Sequence, residues 1–108
     1  MNINDIQADA ELDFFEVIEL IDSMYNFNPT EFTNGNLINK VGENSGSCKI
    51  FSFAKLQNFT PEQTLACFGQ FYQEVIDNPQ QQNHQNIRNF MISGWKGIKF
   101  SSPALVLK

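Results

Sequence analysis

The fold is decided by residues 84–100, which read His84-Gln85-Asn86-Ile87-Arg88-Asn89-Phe90-Met91-Ile92-Ser93-Gly94-Trp95-Lys96-Gly97-Ile98-Lys99-Phe100. The first half carries Ile87, Phe90 and Met91 at the three- and four-residue steps of one helix face, so these side chains are predicted to point inward. This helix is expected to begin near Asn83 and to end at Gly94, a typical C-terminal left-handed residue. The chain after Gly94 reads as extended. Together with the helices and short strands predicted elsewhere in the chain, this pattern indicates the α+β class.

The N-terminal part of the chain predicts a first helix over residues 4–23, capped by Asn4 or Asp5. Its apolar residues form one stripe at helical spacing, namely Ile6, Ala10, Phe14, Val17, Ile18 and Ile21. Residues 1–39 contain eight acidic residues and no Lys or Arg, whereas the remainder has seven basic residues against four acidic ones. We therefore expect this acidic helix to lie against the basic closing third of the chain.

Turn residues in the next part of the chain predict a β-hairpin. Asn34-Gly35 is the kind of pair that supplies the positive φ of a tight turn. Phe32-Thr33 before this pair and residues 37–41 after it read as short strands. The tail segments 97–100 and 104–107 also read as extended, and we expect them to pair with this hairpin. The result is a small antiparallel sheet.

Two further helices are predicted between the hairpin and residue 84. Ser45 or Ser47 is the expected cap of a buried helix over residues 48–56. Thr60-Pro61-Glu62-Gln63 forms a capping box with proline in the first turn, and starts a helix that runs to Asn78-Pro79. The architecture is therefore α+β, with about four helices packed on a small antiparallel sheet, in a single domain over residues 1–108.

Composition limits the partners that the chain is expected to have. A net charge of −5 disfavours nucleic acid. No apolar run approaches membrane-spanning length, and the acidic N-terminus does not resemble a signal peptide, so we expect a cytoplasmic protein with no membrane partner. One histidine, and two cysteines that lack Cys-x-x-Cys spacing, predict no metal site. No cofactor is predicted.

The loop 42–49 is one candidate site, because it gathers backbone amides, Ser47 and Lys49 at a helix start, as phosphate-binding loops do. A P-loop needs lysine directly after its second glycine, and that spacing is missing here. Two interpretations remain open. The loop either binds a small anionic ligand, or only turns the chain into a capped helix.

Two other candidate sites include His84, the single histidine of the chain. Cys48, His84 and Asn86 are the residue types of a Cys-His-Asn hydrolase, although Cys48 could equally be a buried cysteine that only packs. His84 and Arg88 lie four residues apart and could form a cationic corner for a carboxylate or phosphate. The alternative, which we favour, is that Arg88 pairs with the protein's own acidic residues.

Three blocks of sequence resemble the HopJ type III effector family. They are Gly42-Glu43-Asn44 with Gly46-Ser47-Cys48-Lys49, then Thr64-Leu65-Ala66-Cys67-Phe68-Gly69, and then His84-Gln85-Asn86-Ile87-Arg88-Asn89-Phe90-Met91 with Gly94-Trp95 and Gly97. The resemblance implies a small bacterial protein grouped with plant-pathogen effectors delivered through a type III secretion apparatus, and therefore a protein partner. It implies no catalytic residues. A first helix that begins so early would leave little chain to serve as a flexible export signal.

Overall fold

The computed structural model describes residues 1–108 as an α+β fold, which confirms the predicted class. The α-helices are α1 Phe14–Met24, α2 Ser45–Leu56, α3 Pro61–Ala66, α4 Gln70–Asp77 and α5 Gln85–Ser93. The strands are β1 Tyr25–Phe27, β2 Phe32–Asn34, β3 Leu37–Asn39, β4 Ile98–Phe100 and β5 Leu105–Leu107. Two short 3-10 helices span Ile3–Asp5 and Gly94–Gly97.

The strands form two antiparallel sheets instead of one. β2 lies between β3 and β4, so the predicted pairing of the first tail strand with the hairpin is confirmed. The second tail strand, β5, pairs with β1 and not with the hairpin. β1 was not predicted, because Tyr25–Phe27 follows α1 directly, with no turn residue to separate helix from strand.

The hairpin has the predicted tight turn, but one residue later than Asn34-Gly35. Asn34 pairs with Leu37 across the two strands, so Gly35-Asn36 forms the turn. Gly35 has a φ of 62°, as a hairpin turn of this kind requires. Asn34 is a fully buried strand residue, which leaves its side chain inside the molecule.

The first helix is shorter than predicted, because α1 begins at Phe14 and not at residue 4. Asp13 caps it by accepting a hydrogen bond from the Glu16 amide at 3.2 Å. The Gln70 side chain fixes this start: its oxygen accepts from the Phe14 amide at 2.8 Å, and its nitrogen donates to Asp13 at 2.7 Å. The contact between Gln70 and Asp13 joins residues that are 57 positions apart in the chain. It sets the start of α1 at Phe14, although residues 6–13 also have helical periodicity. Ile6 is nevertheless buried, so this segment belongs to the core.

The helix that begins after Thr60 has the predicted capping box but stops early. α3 ends at Ala66 and α4 begins at Gln70, so one predicted helix is two. Gly69 lies between them with a φ of 55°, and a Cβ added there would meet the Leu12 carbonyl oxygen at 2.5 Å. The break therefore makes room for the chain that leads into α1.

The core is built around stacked and edge-on aromatic rings. Phe51 of α2 lies at its centre, with ring centroids of Phe32, Phe68 and Phe90 within 6.1 Å. Met91, predicted to point inward, is 47% exposed, because one turn of α5 presents only Ile87 and Phe90 to this cluster. None of the helices is both long and apolar enough to cross a membrane.

The acidic residues of α1 do not meet the closing third of the chain as expected. Asp22 of α1 instead pairs with Lys49 of α2, with 2.8 Å between Nζ and Oδ1. It is the only carboxylate paired with a lysine or arginine. The expectation was wrong because α1 packs along α2 and leads directly into β1, whereas β4 pairs with β2 on the other sheet.

Candidate functional site

A cleft of about 610 Å³ opens between the N-terminal ends of α2 and α5. Three of the candidate residues from the sequence, Ser47, His84 and Asn86, line it, whereas Cys48, Lys49 and Arg88 do not. One wall of the cleft is aromatic and consists of Phe14, Phe68 and Phe71. The cleft is therefore formed by two helix starts that face an apolar surface.

Both helix starts have the same unusual backbone conformation. Asn44 precedes α2 with φ 51° and ψ 50°, and His84 precedes α5 with φ 53° and ψ 48°. Both conformations are left-handed, which is uncommon outside glycine and is most often tolerated by asparagine, aspartate and histidine. Neither residue caps its helix through the side chain, and Ser45 and Ser47 do not act as the predicted caps. A left-handed residue before a helical one turns successive amides toward a common point, an arrangement that binds anions.

The first amides of both helices have no hydrogen-bond acceptor in the protein. They belong to Ser45, Gly46 and Ser47 of α2 and to Gln85 and Asn86 of α5. Such orphan amides, together with the positive end of the helix dipole, give a helix start a partial positive charge. The cleft thus gains positive potential although no lysine or arginine lines it.

A buried asparagine network joins the two helix starts. Asn39 of β3 accepts hydrogen bonds from Asn44 at 2.7 Å and from Asn86 at 2.9 Å. Asn34 donates to the Asn86 carbonyl at 2.7 Å and so holds the start of α5 against β2. Asn86 makes no bond to His84, so it supports the cleft and does not orient the histidine. The sequence signal for this network was the abundance of asparagine, which gave no indication of its position.

His84 lines the cleft and contacts two side chains of α4. Its Nε2 lies 3.2 Å from Glu74 Oε2, and its ring packs on Phe71 with 5.4 Å between centroids. The residue is only partly buried. His84 therefore has a carboxylate neighbour on one side and an aromatic neighbour on the other, and it shares no hydrogen bond with Cys48.

Arg88 does not pair with an acidic residue, so that expectation was wrong. Its guanidinium donates to the carbonyls of Asn78 at 3.0 Å and Pro79 at 3.3 Å, and to Oδ1 of Asn83 at 2.8 Å. These contacts tie together the loop between α4 and α5. Because its donors are used in this way, Arg88 does not form a cationic corner with His84.

Cys48 and Lys49 lie on other faces of α2. Cys48 is 2% exposed, and its thiol donates to the Thr30 carbonyl with 3.9 Å between sulfur and oxygen. Burial raises the pKa of the Cys48 thiol above its ordinary value, more than the contact with Thr30 lowers it. Lys49 pairs with Asp22, and its ammonium lies 5.0 Å from the centre of the Phe27 ring. Of the two side chains expected to hold an anion at this loop, only Ser47 faces the cleft.

The chain matches a protein family and is similar to a solved structure. A family model described as HopJ type III effector protein matches residues 2–105. Among solved structures, the crystal structure of VPA0580, a protein of unknown function, is similar, with a TM-score of 0.89 and 48% sequence identity. The match covers 91% of this chain and 82% of that chain. A comparison with curated proteins found no match.

Proposed function

The chain belongs to the HopJ type III effector family, and we propose that it acts by binding a partner protein through the cleft between α2 and α5. The cleft receives a segment of the partner that carries a carboxylate or phosphate group. The observation that carries this proposal is the convergence of two helix starts, whose amides at residues 45–47 and 85–86 are unpaired, on a single open cleft.

An anionic group suits these amides for two reasons. It supplies acceptors for donors that otherwise have only water, and it interacts favourably with the positive ends of both helices. The imidazole of His84, which lines the same cleft, can donate a further hydrogen bond to such a group.

The aromatic wall suits an apolar side chain next to the anionic group. Phe15, on the α1 turn that also carries Phe14, is 58% exposed, and its ring centroid lies 6.0 Å from that of Phe71. Phe71 lines the cleft, so an apolar surface continues from the cleft to the outside of the molecule. Large exposed aromatic side chains of this kind are characteristic of protein-binding surfaces.

A hydrolase that uses Cys48 and His84 is the alternative, and the positions of these residues do not favour it. The thiol is buried, donates to a backbone carbonyl and does not line the cleft where His84 lies. A nucleophilic cysteine needs a thiolate that its substrate can reach. We expect Cys48→Ser to keep the fold and the biological effect. Loss of the effect with unchanged stability would support the enzyme.

A single added negative charge tests the cleft. Ser47→Asp puts a carboxylate in the first turn of α2, where it stabilises the helix but repels an anionic ligand. Inorganic phosphate, followed by amide NMR shifts, is expected to perturb residues 45–47 and 85–86 in the wild-type protein and not in this variant. Ser101→Asp is the matched control, because Ser101 is exposed and does not line the cleft. Equal phosphate shifts in wild type and Ser47→Asp would reject the anion site.

Photo-crosslinking tests the protein partner. A photoreactive residue at position 85, in the cleft, is expected to give a discrete protein adduct in cells that is lost on adding Ser47→Asp. The same residue at position 80, which is exposed and outside the cleft, should not give that adduct. An adduct that forms equally from both positions, or that survives Ser47→Asp, would contradict binding through this cleft.

Membership of this family also implies secretion by a type III system, and we propose that this chain is exported in that way. The expected result is its appearance in culture medium from a strain with the apparatus and its absence from the medium of an apparatus-deficient strain. Equal release by the two strains would show that this member is not a type III substrate.

A further inference from the structure

The lining of the cleft between α2 and α5 favours one kind of anionic group over the other. No lysine or arginine lines it, and its single histidine, His84, already has the Glu74 carboxylate 3.2 Å from its Nε2. A phosphate monoester carries a charge of about −1.5 to −2 at pH 7, and proteins commonly bind it through clusters of arginine. A carboxylate carries a single charge, and backbone amides alone can capture the carboxylate of a chain terminus. The cleft therefore suits a carboxylate better than a phosphate.

The starts of the two helices are held close together. The side-chain nitrogens of Asn44 and Asn86 both donate to the same oxygen, that of Asn39, at 2.7 Å and 2.9 Å. Asn44 is the residue before α2, and Asn86 is the second residue of α5. The unpaired amides of residues 45–47 and 85–86 therefore lie near one another, and one carboxylate can use donors from both helices.

An aromatic ring packs directly on the start of α2. A Cβ added to Gly46 would come within 2.8 Å of Phe14 Cζ, so the ring touches the backbone that carries the unpaired amides. Phe68 and Phe71 continue this apolar wall. A ligand that fills the cleft must therefore place an apolar group immediately beside its carboxylate.

A C-terminal residue has this arrangement. Its α-carboxylate and its side chain are attached to the same Cα. The carboxylate of an internal aspartate or glutamate lies at the end of its own side chain, and its nearest apolar side chain belongs to another residue, whose Cα is at least about 3.8 Å away. The contact between Phe14 and Gly46 therefore favours a chain terminus over an internal acidic residue.

We infer that the cleft binds the C-terminus of a partner protein whose last residue is apolar, an inference that rests on the function proposed above. The terminal carboxylate accepts from the amides of residues 45–47 and 85–86. The terminal side chain packs on Phe14 and Phe71. The cleft, at about 610 Å³, is as large as sites that take drug-sized ligands, so it has room for more than one residue. The preceding residues cover Phe15, which is 58% exposed, with its ring centroid 5.2 Å from that of Phe14.

Four N-acetylated tetrapeptides test this inference by calorimetry and amide NMR at pH 7.5. They end in leucine with a free carboxylate, in leucine with an amidated carboxylate, in glycine with a free carboxylate, and in phosphoserine followed by amidated leucine. We expect the leucine carboxylate to shift the amides of residues 45–47 and 85–86. The leucine amide should bind at least about ten-fold more weakly, because it lacks the charged acceptor. The glycine carboxylate should bind about 3- to 10-fold more weakly, because it buries no apolar side chain. Equal binding of the leucine carboxylate and the leucine amide would overturn the inference.

The phosphoserine peptide separates a failure of this inference from a failure of the proposed function. Its tighter binding at the same amides would overturn the C-terminus and keep the cleft as an anion site for a partner protein. No shift of residues 45–47 and 85–86 by any of the four peptides would contradict both. Equal affinity for N-acetylleucine and for the leucine tetrapeptide would assign the cleft to a small carboxylate, which also overturns the inference.

Variants test the two parts of the site separately. Ser47→Asp should weaken binding of the leucine carboxylate about ten-fold or more, because it puts a like charge beside the amides. Ser101→Asp, outside the cleft, should leave the affinity unchanged. Gly46→Ala adds a methyl group against the Phe14 ring and should reduce the preference for leucine over glycine. Melting temperatures confirm that each variant is folded. An equal loss in Ser47→Asp and Ser101→Asp, or an unchanged preference for leucine in Gly46→Ala, would reject this mode of binding.

Discussion

Asn39 and Asn86 exchange a pair of hydrogen bonds through their side-chain amides. Asn39 donates to Asn86 at 3.1 Å, and Asn86 donates back at 2.9 Å. Both residues are buried, at 1% and 6% exposed. The pair fastens the start of α5 to the edge strand β3, 47 residues earlier in the chain. The geometry of the cleft therefore depends on a buried polar contact between β3 and Asn86, which also lines the cleft.

Replacing Asn86 by alanine should destabilise the protein by roughly 2–3 kcal/mol. The change removes both bonds of the pair and leaves the Asn39 side-chain nitrogen without an acceptor, while the Asn39 oxygen keeps its bond from Asn44. A buried donor left unsatisfied costs about 1–3 kcal/mol. Urea unfolding measures the effect, and Gln80→Ala, at an exposed site, should stay within about 0.5 kcal/mol of wild type. A loss in Asn86→Ala no larger than in Gln80→Ala would show that the network contributes nothing.

Asp13 and Asp9 provide a test of where the first helix begins. Asp13 is the N-cap of α1 and also accepts from Gln70, whereas Asp9 is exposed and makes no hydrogen bond. Asp13→Ala should therefore cost about 1 kcal/mol of unfolding free energy, in the range of lost helix caps. Asp9→Ala should change it by less than about 0.5 kcal/mol. If the helix instead ran over residues 4–23, the two substitutions would have similar effects.

Gly69 and Gly42 both have a positive φ, but they differ in the space around them. A Cβ on Gly69 meets the Leu12 carbonyl oxygen at 2.5 Å, whereas a Cβ on Gly42 meets nothing within 4 Å. Gly42→Ala should cost about 1–2 kcal/mol, from the left-handed backbone alone. Gly69→Ala should cost clearly more, since the chain before α1 must also move. Equal losses in chemical denaturation would show that the close contact at Gly69 is relieved without cost.

The sequence predicts those features of the fold that depend on neighbouring residues. The capping box at Thr60, the hairpin near Gly35 and the strand at residues 98–100 all follow from local signals, and all are present. The start of α1 and the break at Gly69 depend on each other across the fold, because the chain before Phe14 passes over Gly69. No pattern within either segment reveals that contact.

The sequence predicted which part of the chain forms the candidate site, but not what each of its side chains does there. The sequence singled out Ser47, His84 and Asn86, and all three line one cleft. It could not show that Cys48 faces the core, since a one-residue step along a helix rotates a side chain by about 100°. Nor could it show that Arg88 binds backbone carbonyls, because those carbonyls become available only where the loop after α4 folds back.

The buried thiol of Cys67 makes stability depend on alkaline pH. Burial raises the pKa of this thiol from 9.0 to about 12. Between these values the unfolded chain releases the proton and the folded chain keeps it, so the unfolded state binds fewer protons and stability falls as the pH rises. The stability is fully present below pH 9 and is lost progressively up to about pH 12. We expect this group to contribute a loss of about 1.4 kcal/mol by pH 10.

Cys67→Ala isolates this contribution, because every other titratable group is common to both proteins. The variant should be less stable than wild type at pH 7, since it leaves a small cavity beside Phe68, but its stability should fall less steeply between pH 8 and pH 10. Urea unfolding at several pH values gives both slopes. Parallel slopes would mean that the thiol ionises as readily in the folded protein as in the unfolded chain. Rapid modification of Cys67 in the native protein by a thiol reagent at pH 8 would lead to the same conclusion.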